Sequence, residues 1–140
     1  MGMALAGELN GYPGPSHVLE LRGPLGLSTF QLAAVQASFE HMQAAARPLG
    51  AELVERERFL DGGFRAATVT PDRVAADTEA IGMLQGRLRA VHLAAHLEMR
   101  DLLTLNQVAR YDELRGYGAG SAAPAKVAPS GSGTHSIGER

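Results

Sequence analysis

The chain has 140 residues, which is material for one domain without a large core. Hydrophobic residues make up 45% of it but aromatic residues only 5%, so the apolar content is mostly alanine, leucine and valine, which favours helices. The net charge of -2 gives no electrostatic footprint for a nucleic acid or an anionic membrane. The absence of cysteine excludes disulfides, thiolate metal sites and cysteine nucleophiles.

The first segment, residues 1–15, is expected to be an extended lead-in, because its second half is rich in Gly, Pro and Asn and has no periodicity. Ser16 then provides a cap for a brief helix over residues 17–21. Gly23 and Pro24 are expected to end this helix. We call it the first hook.

A long helix is predicted to begin at Ser28, which forms a capping box with Gln31: the Ser hydroxyl accepts from the Gln amide while the Gln side chain reaches back to the cap. Pro48 predicts a kink or a short break within this helix. The run Asp61-Gly62-Gly63 predicts the turn that ends it. Apolar residues recur at helical spacing along it, namely Phe30, Val35, Phe39, Met42, Leu49, Leu53 and Leu60.

A second long helix is predicted to start at Thr70-Pro71-Asp72, with Thr as cap, Pro at the first helical position and Asp near the positive end of the dipole. Its apolar seam repeats every seven residues and continues to the end of the helix. The seam consists of Val74, Ile81, Leu88, Ala95 and Leu102, with Leu84 and Val91 between them.

A second capping box, formed by Thr104 and Gln107, predicts a short final helix that stops at Gly116. We call this helix the second hook. Residues 118–140 are mostly Gly, Ser, Ala and Pro and are predicted to form a disordered tail. The sequence therefore predicts an all-α domain over residues 16–117, built as a long antiparallel helical hairpin with a short hooking helix at each end.

Two helices of about 30 residues would be about 45 Å long, which is too elongated for a monomer to bury both apolar seams. We therefore expect a homodimer in which two hairpins form a four-helix arrangement. No stretch approaches the roughly 20 apolar residues of a membrane span, so the chain is predicted to be either cytosolic or exported with its signal removed.

The sharpest chemical feature is the spacing of His92, His96 and Met99, which places two imidazoles and a thioether on one face of the second long helix. An i, i+4 His pair can chelate a divalent ion, and a thioether adds a soft ligand suited to copper. Further donors are expected from the facing segments, because the hairpin brings Glu40 and His41 toward His92, and the first hook carries His17 to the same end.

A structural interpretation of the same residues stands beside the metal site. His92 borders the seam, where a histidine is commonly a hydrogen-bonded core residue, and Met99 has the spacing of a packing residue. The sequence contains no nucleophile elbow, phosphate loop or HExxH motif, and its carboxylates are spread over surfaces. We therefore expect no enzymatic activity.

The boxes Leu27-Ser28-Thr29-Phe30-Gln31 and Leu103-Thr104-Leu105-Asn106-Gln107, on either side of one hairpin, resemble the LTxxQ signature of the Spy/CpxP superfamily of periplasmic proteins. The segment 96–100, followed by Tyr111-Asp112, is similar to the metal-binding helix of CnrX-type heavy-metal sensors within that superfamily. In that resemblance Met99 occupies a ligand position, His17 matches the hook histidines, and Glu40 lies near a ligand glutamate. The histidine that those sensors place four residues before the Met is Ala95 here.

The resemblance implies a dimeric periplasmic protein with one of two functions. One is heavy-metal binding for sensing or resistance, with copper, zinc, nickel or cobalt as the ion and a membrane-bound signalling partner. The other is ATP-independent chaperoning of unfolded client proteins, for which Arg87, Arg89, Arg100 and Arg110 would supply basic groups on an apolar concave face. The spacing of His92, His96 and Met99 favours metal binding over chaperoning as the predicted function.

Overall fold

The computed structural model describes residues 2–117, and every regular element in that range is a helix, which confirms the all-α prediction. There are six: α1 Leu5–Glu8, α2 Pro15–Glu20, α3 Arg22–Leu25, α4 Thr29–Arg65, α5 Pro71–Leu102 and α6 Leu105–Arg115. The tail predicted to be disordered, 118–140, lies outside the described residues.

The two long helices, α4 and α5, pack against each other and run in opposite directions. At one end the backbone of Gly63 faces the guanidinium of Arg73, and at the other the Ser38 hydroxyl donates to the Glu98 carboxylate. Residues 66–70 connect them. Pro48 lies inside α4 without interrupting it, so the short break considered from the sequence does not occur.

The predicted turn at Asp61-Gly62-Gly63 is wrong, since α4 continues to Arg65. The reason is visible at Gly63, which is buried and helical. A Cβ on Gly63 would lie 2.9 Å from Cγ1 of Val69, so this glycine permits the close approach of the chain returning from the turn. The loop that joins the two long helices begins about one turn of helix later, at Ala66.

The first hook also differs from its prediction. It begins at Pro15, which is pre-organised for the first helical position, and Gly14 is its cap in place of Ser16. Gly23 and Pro24 do not end the hook, because both lie within α3, where a first-turn Pro removes no intrahelical bond. The chain turns instead at Gly26, whose φ of 63° favours glycine.

The lead-in is not wholly extended, since residues 5–8 form the short helix α1. This helix lies against α5. The two are so close that a Cβ atom added to Gly7 would lie only 3.3 Å from Nδ1 of His96. The prediction failed because α1 is too short for any periodicity and is held by contacts distant in sequence. We call residues 2–14 the strap.

Both predicted capping boxes are present. The Ser28 hydroxyl accepts from the Gln31 amide at 3.0 Å, and the Thr104 hydroxyl accepts from the Gln107 amide at 3.1 Å. Each Gln side chain accepts from the amide of its own cap residue, at 3.0 and 2.9 Å. The N-termini of α4 and α6 are therefore determined by residues close to each other in sequence, as predicted.

The two boxes are also joined to each other through their glutamines. Gln31 Nε2 donates to Gln107 Oε1 at 2.7 Å, and Gln107 Nε2 donates to Gln31 Oε1 at 3.0 Å. The remaining amide hydrogens go to the carbonyls of Leu102 at 3.1 Å and Leu25 at 3.4 Å. Every donor of this reciprocal pair is used, so it ties both hooks and the end of α5 together.

The main core lies at the end of the hairpin that carries the hooks. It consists of Val18, Leu25, Val35, Met99, Leu103, Val108 and Tyr111. We call residues 48–88 the turn half and the other described residues the hooked half. In the turn half, burial is confined largely to the inner side of α5, where Ile81, Leu84 and Leu88 follow the predicted seam.

Candidate functional site

The predicted stripe His92, His96 and Met99 does not form a common site. Met99 is fully buried within the apolar core, so its thioether is used for packing. His92 is half-buried, and its Nδ1 donates to the Leu88 carbonyl of its own helix at 2.9 Å. His96 is buried and donates from Nδ1 to the Tyr12 carbonyl at 2.7 Å.

The other predicted donors are dispersed. His17 is part-exposed and its Nδ1 lies 3.3 Å from a Glu20 carboxylate oxygen. Glu40 is exposed. His41 lines a cleft between α4 and α5 beside Ala95 and Glu98, about one helical turn beyond His92, toward which it was predicted to lie.

As placed, the six predicted donors do not fit one metal ion. Within residues 2–117 no three His, Asp or Glu side chains are grouped closely enough to hold an ion. Two of the six, His17 and His96, do line a single cavity of about 260 Å³ at the hooked end. Glu8, Arg115 and Tyr117 also line it, and we call it the hook cavity.

Glu8 is the centre of a polar network beside this cavity. Although it is a glutamate, it is buried, and one carboxylate oxygen accepts from the hydroxyl of Tyr111 and from that of Tyr117 at 3.3 Å. Glu8 also forms an ion pair with Arg115 through the same oxygen, which lies 3.3 Å from Nε. Its other oxygen accepts from the Gly14 amide at 3.2 Å. Such charge-assisted hydrogen bonds offset the desolvation of a buried carboxylate.

The charge on Glu8 perturbs its neighbours. Burial, together with the hydrogen bond to Glu8 and its negative charge, raises the pKa of Tyr111 far above its usual range, so its hydroxyl stays a donor. Burial first, and then the charge of Glu8, raises the pKa of Asp112, one of whose oxygens has no hydrogen-bond partner. His96 lies near the same carboxylate, with Nδ1 at 3.8 Å.

A second candidate surface lies on the turn half, which leaves large apolar side chains in water. Phe59 is 58% exposed and Phe64 59%, and Val54 and Met83 are about half exposed. The Arg73 guanidinium lies over the Phe59 ring, 4.3 Å from its centroid. Apolar and basic groups are therefore adjacent on this half.

Sequence reasoning missed the role of Glu8, because a lone glutamate in an aperiodic segment carries no signal of burial. Tyr111 lies in the predicted second hook, but the sequence did not predict that its hydroxyl joins this helix to the strap. The sequence did not distinguish the exposed phenylalanines from the half-buried Phe39, since a helical apolar stripe does not reveal how far a partner helix covers it.

No helix among residues 2–117 combines the length and hydropathy needed to cross a membrane. No protein-family model, curated protein or solved structure matches this chain. The resemblance to the Spy/CpxP superfamily therefore stays a prediction that rests on the two boxes.

Proposed function

We propose that this chain is an ATP-independent chaperone of the cell envelope, of the Spy/CpxP type, and that its turn half binds apolar segments of unfolded proteins. The observation that carries the proposal is the exposure of phenylalanine. Three of the four phenylalanines are more than half exposed, namely Phe30 at 79%, Phe59 and Phe64.

Exposed aromatic rings are unusual on a soluble domain and mark surfaces that bind other proteins. Phe59 and Phe64 lie on α4 close to the turn, where the described part of the chain supplies no third helix to cover them. The arginines near these rings are paired within the chain, Arg73 with Asp77 at 3.6 Å and Arg65 with Asp61 at 2.8 Å, so the apolar rings are the groups left to bind a client. Apolar rings bordered by charges of both signs suit unfolded polypeptides of varied sequence.

The test is suppression of aggregation. A chemically denatured protein is diluted into buffer without ATP, and light scattering is followed with increasing amounts of the full chain. We expect the double variant Phe59→Ser and Phe64→Ser to lose most of the suppression while keeping its helical content, because both rings are exposed.

The matched control is Phe30→Ser, which removes an even more exposed ring from the hooked half and should leave suppression unchanged. No suppression by the natural chain at stoichiometric ratios would reject the proposal. The expected homodimer is measured in the same samples by sedimentation. Loss of the dimer without loss of suppression in the double variant would assign Phe59 and Phe64 to the dimer contact instead.

Binding of a transition metal is the second candidate, favoured by the hook cavity. Because Nδ1 of His96 donates to a backbone carbonyl, the neutral imidazole keeps its lone pair on Nε2, the usual arrangement for a metal-binding histidine. His17 and Glu8 line the same cavity, but as placed the three groups do not converge on one point, so binding of an ion would require them to move together. Imidazole and carboxylate donors suit zinc, nickel, cobalt or cupric ions.

Calorimetric titration with each of these ions tests the second candidate. We expect His96→Gln and His17→Gln to abolish binding, whereas His92→Gln and His41→Gln, at positions away from the cavity, leave it intact. If His92→Gln and His41→Gln abolish binding while His96→Gln and His17→Gln do not, the ion binds at the donors predicted from the sequence and not in the hook cavity. No binding by the natural chain would reject metal binding. A membrane-bound signalling partner and a periplasmic location rest on the resemblance alone.

A further inference from the structure

The strap is attached to the rest of the molecule mainly through polar contacts. Its three largest aliphatic side chains, Met3, Leu5 and Leu9, are exposed, whereas Glu8 and Pro13 are buried. A segment that buries a carboxylate and leaves its leucines in water gains little from apolar burial. Its attachment therefore depends on hydrogen bonds.

These polar contacts come from two other parts of the chain, the end of α6 and α5. Glu8 is held by Tyr111, Tyr117 and Arg115, at the end of α6. A second anchor lies on α5, where the Gly11 carbonyl accepts from Arg100 at 3.0 Å and the Tyr12 carbonyl accepts from His96. The Arg100 guanidinium also lies 4.7 Å from the centroid of the Tyr12 ring.

The strap covers His96 directly. A Cβ on Gly7 would lie 3.3 Å from Nδ1 of the imidazole, and one on Gly14 would lie 3.1 Å from its Cε1. The ring is thus enclosed by the backbone of the strap on two sides. The strap also forms one wall of the hook cavity, through Met3, Leu5 and Glu8.

We propose that residues 2–14 act as a displaceable lid over His96 and the hook cavity, with the hydrogen bonds of Glu8 to the end of α6 as its latch. Segments held by a few polar contacts open locally without unfolding the core, because only those contacts are lost. Opening exposes His96 while α2 to α6 stay packed. This inference does not depend on either proposed function.

The chain offers two reporters of the lid. Its three tyrosines are Tyr12 in the strap and Tyr111 and Tyr117 at the latch, and it has no tryptophan, so intrinsic fluorescence comes from this region. His96 is buried and His41 is exposed, so their rates of modification by diethyl pyrocarbonate can be compared within one sample by peptide mass spectrometry.

The test applies both reporters to the full chain, to Glu8→Gln and to the control Glu57→Gln, which changes an exposed glutamate on the turn half and should leave both readings unchanged. In the natural chain we expect His96 to react far more slowly than His41. In Glu8→Gln we expect the His96 rate to rise about tenfold and acrylamide quenching of tyrosine to increase, because neutral Gln forms weaker hydrogen bonds than a carboxylate. Far-UV circular dichroism should show unchanged helix content.

A His96 rate in Glu8→Gln equal to that of the natural chain would overturn the proposal. So would a natural His96 as reactive as His41, which would mean that no lid is closed. Helix loss in step with exposure of His96 would make the strap part of the core and also overturn it. If Glu8→Gln does not fold, Tyr111→Phe removes a single latch donor and must raise the His96 rate by itself.

Discussion

The hooked half and the turn half are built from the same two long helices, but different amounts of structure cover them. At the hooked end, α2, α3, α6 and the strap surround α4 and α5, and Met99 and Tyr111 are fully buried. At the turn end, α4 and α5 have only each other, and Phe59 and Phe64 remain in water. Two helices alone have too little surface in contact to cover an apolar face on every side.

The core that holds the fold and the rings that we propose bind a client therefore lie toward different ends of one hairpin. The hooked half has a core and a satisfied polar network, which makes it the part that holds the fold. The turn half has little core, and its exposed rings Phe59 and Phe64 are the surface that we propose a client or a second copy covers; the hooked half exposes apolar side chains as well, among them Phe30 and Leu105. The same substitution should therefore change the free energy of unfolding much more in the hooked half than in the turn half.

The largest difference is expected between two methionines. Met99→Ala should lower the free energy of unfolding by about 3 kcal/mol, because it leaves a cavity in the core. Met83→Ala, at an exposed site on the same helix, should change it by less than about 0.5 kcal/mol. Urea denaturation followed by circular dichroism measures both. An equal loss at Met83 would show that this side chain is covered in solution.

Breaking the glutamine pair should have the next largest effect. Gln31→Leu removes a capping interaction and leaves the amide of Gln107 short of partners, so we expect a loss of about 2 kcal/mol in the free energy of unfolding. Gln36→Leu, on the exposed side of α4, is the control and should be nearly neutral. A double-mutant cycle with Gln107→Leu should be clearly non-additive; strict additivity would argue against the pair.

Pro48 is the first residue of the turn half, and its replacement is expected to increase the stability of the fold. It cannot donate to the carbonyl four residues earlier in α4, and it is exposed. Pro48→Ala should therefore raise the free energy of unfolding by about 1 kcal/mol, part of the full helix penalty of proline. A thermal melt by circular dichroism checks this, and a lower melting temperature would mean that the local geometry at Pro48 is required by the packing.

The smallest effect is expected at Asp112 of the hooked half. Because burial raises the pKa of this carboxyl above its ordinary 3.8, its charge destabilises the folded state at neutral pH. Asp112→Asn should thus stabilise the chain at pH 7 by less than about 1 kcal/mol. The advantage should shrink as the pH falls and the carboxyl is protonated, and vanish below about 3.8, in urea titrations at several pH values. A constant difference would exclude the charge as its cause.

The local signals in the sequence determined much of the fold. The capping boxes at Ser28 and Thr104, the Thr70-Pro71 start and the Gly116 stop all appear where their patterns place them. The α5 seam is buried at Ile81, Leu84, Leu88 and Ala95. These features depend on residues within one or two helical turns of each other, so the sequence alone specifies them.

Only the tertiary structure decided which side chains meet. It extended α4 past Gly63, which shifted the register of the hairpin and placed His41 beside Ala95. It buried Met99 in the core, and brought Glu8 to Tyr111 across 103 positions of the chain. Such contacts depend on how whole helices are offset and covered, and no spacing along one helix encodes that. The sequence therefore determined where the helices start and which faces are apolar, whereas packing determined the polar network and the exposed aromatic surface.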